Sequence, residues 1–261
     1  MNQTMDINYV SVTEISGDEV SQEQIDRLCN RYYWASQYCG GKDVLEAACG
    51  SGTGLGYLSS ISKHLEAGDY SDSILSVPRR HYGTRIPLTQ FDALHIPYKN
   101  HSKDVIILFE AIYYLPDAEL FVKECARVLR PNGFVLITTA NKDLYDFNPS
   151  PYSYKYYGVT ELNQLFLSYN FQTEFFGDSP LNQISFIQKV LRPVKKFAVQ
   201  YGLIPKTMSG KKIFKRIVFG KLVSMPNELP AEVNIRKDFP KLQSNKQDTG
   251  HKIIFCAAML R

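Results

Sequence analysis

Apolar runs and amphipathic stretches alternate along the chain from residue 43 onwards. Between the apolar runs, hydrophobic residues recur with a spacing near 3.6. This alternation predicts a three-layer α/β fold, a doubly wound sheet with helices on both faces. The apolar runs, each bounded by turn residues, cover residues 43–48, 64–70, 86–88, 104–109, 134–139, 171–176 and 251–260.

Helix-start signals support the same fold. Ser21 is followed three positions later by Gln24, a capping pair that predicts a helix from there to about Tyr38. Further helices are predicted over 71–82 and after Asp117. The segment 19–38 is therefore a candidate N-terminal lid helix, and its aromatic residues suit either core packing or a cover over a ligand.

The predicted first strand breaks into glycines at alternate positions, starting with Gly50 and Gly52. Glycine lets a turn adopt positive φ and approach a ligand closely. A dinucleotide fingerprint would need a third glycine where this chain has Leu55, and no Gly-Lys-Ser/Thr follows for a phosphate loop. Glu46 precedes the turn, and its carboxylate would repel a pyrophosphate but suits hydroxyls and a positive charge.

The run from Glu46 to Gly52 resembles motif I of the class I S-adenosylmethionine-dependent methyltransferases of the type 11-like group. Ala48 stands where that motif usually has its first glycine. The resemblance continues from residue 17 to 176. It implies a Rossmann-like sheet of seven strands, the last one antiparallel, and S-adenosylmethionine as the cofactor.

Later motifs fit the same family in the expected order. Asp69 ends the second predicted strand, where the resemblance implies ribose binding, and Asp92 begins a motif that implies adenine binding. Where relatives carry a histidine after the fourth strand, this chain has a tyrosine pair, which leaves Tyr114 as a weak catalytic candidate. The residues that the resemblance places at the cofactor are Arg31, Tyr32, Glu46, Ala48, Cys49, Gly50, Gly52, Asp69, Tyr70, Asp92, Ala93, Phe109 and Glu110.

Composition narrows the class of protein. The hydrophobic fraction of 44% and the charged fraction of 21% are ordinary for a globular domain. No stretch is long enough to cross a bilayer, and the first 18 residues lack a secretory h-region, which predicts a cytoplasmic protein. The five cysteines form no CxxC pair, so no metal site is expected.

Positive charge is concentrated in one part of the chain. Ten Lys and Arg residues and no acidic residue lie between Ser179 and Asn227, although the whole chain carries a net charge of +4. We predict a basic helical insertion over 179–245, before the last strand. Three interpretations remain open: a solvated cover, a site for a nucleotide-linked acceptor, and contact with the inner membrane surface where lipid-linked glycans lie.

These features predict a methyltransferase that modifies oxygen or nitrogen of a small molecule, with a sugar or glycan intermediate as the expected acceptor. The narrower resemblance of Arg31-Tyr32-x-x-Ala35 to polysaccharide and O-antigen cluster methyltransferases supports that acceptor. Tyrosines between 145 and 157 could line its pocket. The alternatives are a nucleic-acid methyltransferase, which is not favoured, and a cofactor-binding partner without turnover. The sequence does not indicate an oligomeric state.

Overall fold

The structure is a computed structural model that describes residues 13, 15–150, 152–183, 192–193, 222–229 and 238–261. Its strands are β1 Glu19–Ser21, β2 Asp43–Ala47, β3 His64–Asp69, β4 Leu88–Gln90, β5 Lys103–Phe109, β6 Leu129–Ala140, β7 Phe171–Pro180, β8 Leu222–Ser224, β9 Lys241–Leu242 and β10 His251–Leu260. Its α-helices are α1 Gln22–Cys39, α2 Leu55–Ile61, α3 Asp72–Tyr82, α4 Ala118–Val128 and α5 Val159–Leu167, with short 3-10 turns at Ile112–Tyr114 and Leu181–Gln183.

The main sheet has the order β4-β3-β2-β5-β6-β10-β7-β9. Neighbours from β4 to β6 run parallel, whereas β10 lies antiparallel between β6 and β7. The predicted doubly wound α/β sheet with an antiparallel last strand is therefore confirmed, with the two-residue β9 added at its edge. The chain winds outward in opposite directions from β2 and β5, and ligands bind at such a switch point, beyond the carboxyl ends of the strands.

Two hydrophobic clusters pack the two faces of this sheet. Trp34 of α1 is 1% exposed and packs on Phe255 of β10, with ring centroids 4.9 Å apart. On the other face, Phe121 of α4 and Phe166 of α5 are fully buried. Trp34 therefore packs in the core, which is one of the two roles that the sequence allows for the aromatic residues of the predicted lid helix.

Some predicted boundaries of helices and strands are confirmed by the structure, and others differ from it. Ser21 caps α1 and forms the predicted reciprocal capping pair with Gln24. Residues 19–21, expected at the start of the lid helix, instead form β1, which pairs antiparallel with β8. Strand β6 begins at Leu129, five residues before the predicted start at 134, because Leu129 already pairs with Lys103.

The basic segment is largely outside the described residues, and so is the predicted helical character of the insertion. Arg192 is described, and its guanidinium donates two hydrogen bonds to the Asp146 carboxylate, at 2.9 and 2.5 Å. The undescribed basic residues are Lys189, Lys195, Lys196, Lys206, Lys211, Lys212, Lys215, Arg216 and Lys221. Within the described ranges, no helix is long and apolar enough to cross a membrane.

Candidate cofactor site

The turn after β2 follows a tightly constrained path. Ala48, Gly50 and Gly52 have φ of 52°, 57° and 73°, all in the left-handed region. At Gly52 there is also no room for a side chain, since a Cβ would lie 2.7 Å from Cβ of Pro78 in α3. The predicted role of glycine in this turn is confirmed, and Ala48 adopts a conformation that favours glycine.

Gly54 allows an aromatic ring to lie directly on the turn. A Cβ at this position would come within 2.1 Å of the Tyr32 ring. The ring reaches past the turn from α1, and its hydroxyl donates a hydrogen bond to Glu46 Oε1 at 2.6 Å. Tyr32 is 4% exposed. It therefore packs in the core, one of the two alternatives that the sequence left open, and it also positions a polar group of the candidate site.

Glu46 carries a buried carboxylate whose two oxygens have different surroundings. Its side chain lies on β2 and is 1% exposed, and Oε2 has no hydrogen-bond partner among the described residues. Burial raises the pKa of Glu46 to about 8, against the opposing effects of the Tyr32 hydrogen bond and the positive charge of Arg31. A ligand that brings a positive charge or a donor to Oε2 would stabilise the ionised form.

Asp69 joins the end of β3 to the glycine turn. Its two carboxylate oxygens accept N–H groups from Gly50 at 3.0 Å and from Ser71 at 2.9 Å. The side chain is mostly buried, and burial raises its pKa although both backbone donors oppose that shift. The neighbouring Tyr70 is 60% exposed at the same edge of the sheet. Glu46 and Asp69 thus lie on adjacent strands, on either side of the turn, as the sequence predicts.

A family model described as a methyltransferase domain matches residues 45–137, which include β2, the glycine turn, Asp69 and Asp92. Residues 45–137 are therefore similar to a methyltransferase domain. The YcgJ protein from Bacillus subtilis shares the fold, with a TM-score of 0.59 at 15% identity, over 89% of this chain and 99% of that one.

Curated relatives agree with this assignment. A probable S-adenosylmethionine-dependent methyltransferase of Mycolicibacterium smegmatis is 29% identical over 167 residues, 59% of this chain and 65% of the relative. A fatty-acid O-methyltransferase of the same organism is 35% identical over 103 residues, 38% of each chain. The chain spans no more than 65% of the length of the first curated relatives it matches.

S-adenosylmethionine is the cofactor of this domain class, and the residues present fit it. The cofactor carries ribose hydroxyls, an ammonium and a sulfonium. Glu46 Oε2, which no described residue contacts by a hydrogen bond, and the Asp69 carboxylate can accept from hydroxyls or balance positive charge. The glycines leave backbone exposed where side chains would intrude. When bound, the cofactor supplies an electrophilic methyl group.

Among the other predicted cofactor residues, Asp92 is accessible to a ligand, whereas Ala93 and Cys49 are buried. Asp92 makes a local turn, accepting the Leu94 N–H at 2.9 Å, and its side chain is 39% exposed, so it is accessible to a ligand. Ala93 and Cys49 are buried, and burial raises the pKa of the Cys49 thiol well above its usual range. Cys49 is therefore a neutral packing residue of the methyltransferase domain.

The end of β5 brings Phe109 and Glu110 to the same edge. The Phe109 ring packs edge-on against Tyr32 with centroids 5.3 Å apart. Glu110 accepts a hydrogen bond from the Tyr113 hydroxyl at 3.2 Å. Tyr114, the weak catalytic candidate, is hydrogen-bonded through its hydroxyl to Ser150 Oγ at 2.7 Å, which ties it to the loop after β6.

A segment that sequence reasoning did not assign to the site reaches the glycine turn. The Leu229 N–H donates to the Thr53 carbonyl at 2.9 Å. Glu228 lies against Gly56 and pairs with His81 at 2.9 Å and Arg85 at 2.5 Å on and just after α3. These four contacts join residues more than 140 positions apart in the sequence, and no local sequence signal predicts them.

Proposed function

We propose that this chain transfers the methyl group of S-adenosylmethionine to an oxygen or nitrogen atom of a small-molecule acceptor that contains a lipid part. The observation that carries the methyl-transfer proposal is Glu46, a buried carboxylate beside a glycine turn that excludes side chains. One of its oxygens has no hydrogen-bond partner in the part of the chain that the structure describes. This arrangement suits a cationic, hydroxyl-bearing cofactor. The proposed cofactor contacts are made by Glu46, Asp69, Asp92 and the backbone of the turn, with Arg31, Tyr32, Tyr70 and Phe109 around them.

The acceptor class rests on two further observations. The relative named as a fatty-acid O-methyltransferase supports a lipid acceptor. Tyr145, Tyr152 and Tyr154 are each more than half exposed on the loop after β6, and such amphipathic rings suit a partly apolar ligand. A lipid-linked glycan has both an apolar lipid part and the sugar that the sequence predicts as the acceptor. Free lipids and lipid-linked glycans are therefore the two acceptor classes to compare.

Calorimetry with the purified chain tests the cofactor first. We expect micromolar binding of S-adenosylmethionine and of its demethylated product, and no response to NAD. Cofactor labelled in the methyl group is then incubated with an extract of the source cells, and label is measured in organic and aqueous phases. Label in a lipid or lipid-linked product supports the proposal, whereas label confined to nucleic acid or free sugar contradicts the acceptor class.

A further inference from the structure

A second carboxylate, Glu110, lies at the same sheet edge in a strained conformation. It directly follows the last residue of β5 and has a φ of 51°, which is rare for a residue with a side chain. Its N–H donates to the Thr138 carbonyl on β6 at 2.9 Å, which holds the backbone in place. Strain of this kind concentrates at functional sites, so the position calls for a functional explanation.

The two carboxylate oxygens of Glu110 have different surroundings. Oε2 accepts the Tyr113 hydroxyl, while Oε1 is buried with no hydrogen-bond partner among the described residues. The Thr138 hydroxyl is also buried and, within the described ranges, lacks a partner. Folded proteins leave few buried polar atoms unpaired. The two residues are joined by a backbone hydrogen bond, and each of these two atoms is available to hydrogen-bond a polar ligand.

The register of the sheet brings Glu110 close to the cofactor site. Ala47 of β2 pairs with Leu108 of β5, so the two strands end side by side. Paired strands lie about 4.8 Å apart, which places Glu110 within roughly 10 Å of the glycine turn. Ala48 and Glu110 leave their strands with nearly equal φ, 52° and 51°. An acceptor near Glu110 would therefore be next to a cofactor held by the turn.

A cluster of aromatic rings lies beside Glu110, on the side of Tyr113. Tyr113 is 7% exposed and stacks on Tyr156, with ring centroids 4.3 Å apart, and Phe147 packs edge-on against Tyr156 at 4.7 Å. Burial, with the negative charge of Glu110 as the next cause, raises the pKa of Tyr113 well above its usual range. Tyr113 is therefore a neutral donor that orients Glu110.

We propose that Glu110 is a catalytic residue that removes the proton from the acceptor, and that the acceptor presents a hydroxyl group at Glu110 Oε1. This inference rests on the proposed methyl transfer and gives Glu110 a role at the acceptor instead of the cofactor. A carboxylate acceptor would set two anions together in an apolar surrounding, which is unfavourable. One open oxygen matches the single proton of a hydroxyl, whereas an ammonium brings three donors.

The proposed step balances charge and atoms. The acceptor oxygen forms a bond to the methyl carbon as the carbon–sulfur bond breaks and leaves its electron pair on sulfur. The hydroxyl proton passes to Glu110 Oε1. The sulfonium and the carboxylate, one positive and one negative charge, become a neutral thioether and a neutral carboxylic acid, which then returns its proton to water.

The test compares Glu110→Gln with Glu110→Asp and with the control Glu119→Gln, whose carboxylate is exposed at the start of α4. The same labelled-cofactor incubation with source-cell extract is used, and the product is classified by mild alkali, which cleaves a methyl ester but leaves a methyl ether intact, and by cation exchange, which retains a methylamine. We expect an ether. Glu110→Gln should lower turnover at least about hundredfold, Glu110→Asp should restore part of it, and Glu119→Gln should match the wild type.

Calorimetry with the demethylated cofactor separates this role from a structural or cofactor-binding one. Glu110→Gln keeps an acceptor for the Tyr113 hydroxyl, so its melting temperature and cofactor affinity should equal those of the wild type. An ester or amine product, retained turnover in Glu110→Gln, or a tenfold loss of cofactor affinity in that variant would each overturn the inference. A wild type that binds the cofactor but labels nothing would instead overturn the proposed function, and this inference with it.

Discussion

Glu46 shows how burial can make one carboxylate sensitive to a ligand. Its side chain is almost fully enclosed, its pKa is raised to about 8, and one of its oxygens has no partner among the described residues. In the ligand-free protein at neutral pH, the carboxyl is therefore largely protonated. A positively charged cofactor at the proposed site would favour the ionised form, so we expect binding below pH 8 to release a proton.

Cofactor affinity should consequently depend on pH. Because the free-state pKa of Glu46 is about 8 and the bound state lowers it, affinity should rise as pH increases from 6 to 8, by up to about tenfold per unit, and level off above 8. Calorimetry in buffers of different ionisation enthalpy measures both the affinity and the released proton. Glu46→Gln should bind more weakly and lose this pH dependence. Equal proton release by wild type and variant would assign the effect to another group.

Asp69 supports a prediction about a single hydrogen-bond acceptor. Asp69→Asn replaces one of the two carboxylate oxygens with an NH2 group. That group cannot accept the hydrogen bond from the N–H of Gly50 or of Ser71, so one of these two bonds is lost. That change lowers the stability of the turn. The proposed ribose contact also loses a charged acceptor, which contributes about 1.5–3 kcal/mol, so the dissociation constant of the cofactor should rise about tenfold or more. Titration of the folded variant measures it. The reverse change Gln164→Glu, at an exposed position of α5, should leave the constant unchanged.

Sequence reasoning found the acidic residues of the site but not their partners. Glu46 and Asp69 were predictable because each ends a recognisable strand at a characteristic distance from the glycines. The Tyr32–Glu46 bond was not, because it depends on how α1 packs across the turn. The Tyr113–Glu110 pair was also missed, since no local signal reveals that a glutamate adopts positive φ.

Positions in the glycine turn differ in the side chains that their backbone conformation and their packing allow. At Ala48, φ is 52° and glycine would relieve the left-handed conformation, so Ala48→Gly should stabilise the protein by up to about 1 kcal/mol, less the entropy that glycine adds to the unfolded chain. Gly52→Ala combines positive φ with a contact of 2.7 Å and should destabilise by more than about 1 kcal/mol. Denaturant unfolding of both variants checks the contrast. Equal stability of the two would show that the turn adjusts freely.

Elements with strong local signals were predicted within a few residues, and those set by pairing were not. Helix α3 starts one residue after its N-cap Ser71, close to the predicted 71–82, and β10 covers the predicted 251–260. By contrast, β1 and β8 are three residues each and exist because they pair across 200 positions. No hydrophobic pattern of that length can distinguish such strands from loops.

At the scale of the whole molecule, the segment 222–229 connects the insertion to the cofactor turn. Leu229 is 3% exposed, and its backbone N–H donates a hydrogen bond to the Thr53 carbonyl. Strand β8 pairs with β1, which directly precedes α1. The insertion therefore contacts the same turn that is proposed to hold the cofactor, so binding and local order of this segment should be coupled.

Leu229→Ala tests that coupling. The variant should lose about 2–3 kcal/mol of stability, as proteins do when a buried leucine is truncated. Its cofactor affinity should fall several-fold because the segment that hydrogen-bonds to Thr53 loses the buried side chain that anchors it. Leu167→Ala is the matched control, since Leu167 is 54% exposed and its loss should change stability by less than about 0.5 kcal/mol. Unfolding curves and titrations give both quantities. Unchanged affinity in a destabilised Leu229→Ala would separate the segment from the site.

The position of β10 has a consequence for biosynthesis. This strand lies between β6 and β7 and pairs with both, yet it is made after more than 100 further residues have followed β6. While the ribosome is still translating residues 181–250, the facing edges of β6 and β7 have no strand between them. At about 5–20 residues per second, that interval is several seconds or more, during which open sheet edges are exposed to aggregation. In the nascent chain, the facing edges of β6 and β7 therefore stay unpaired until β10 has left the ribosomal exit tunnel.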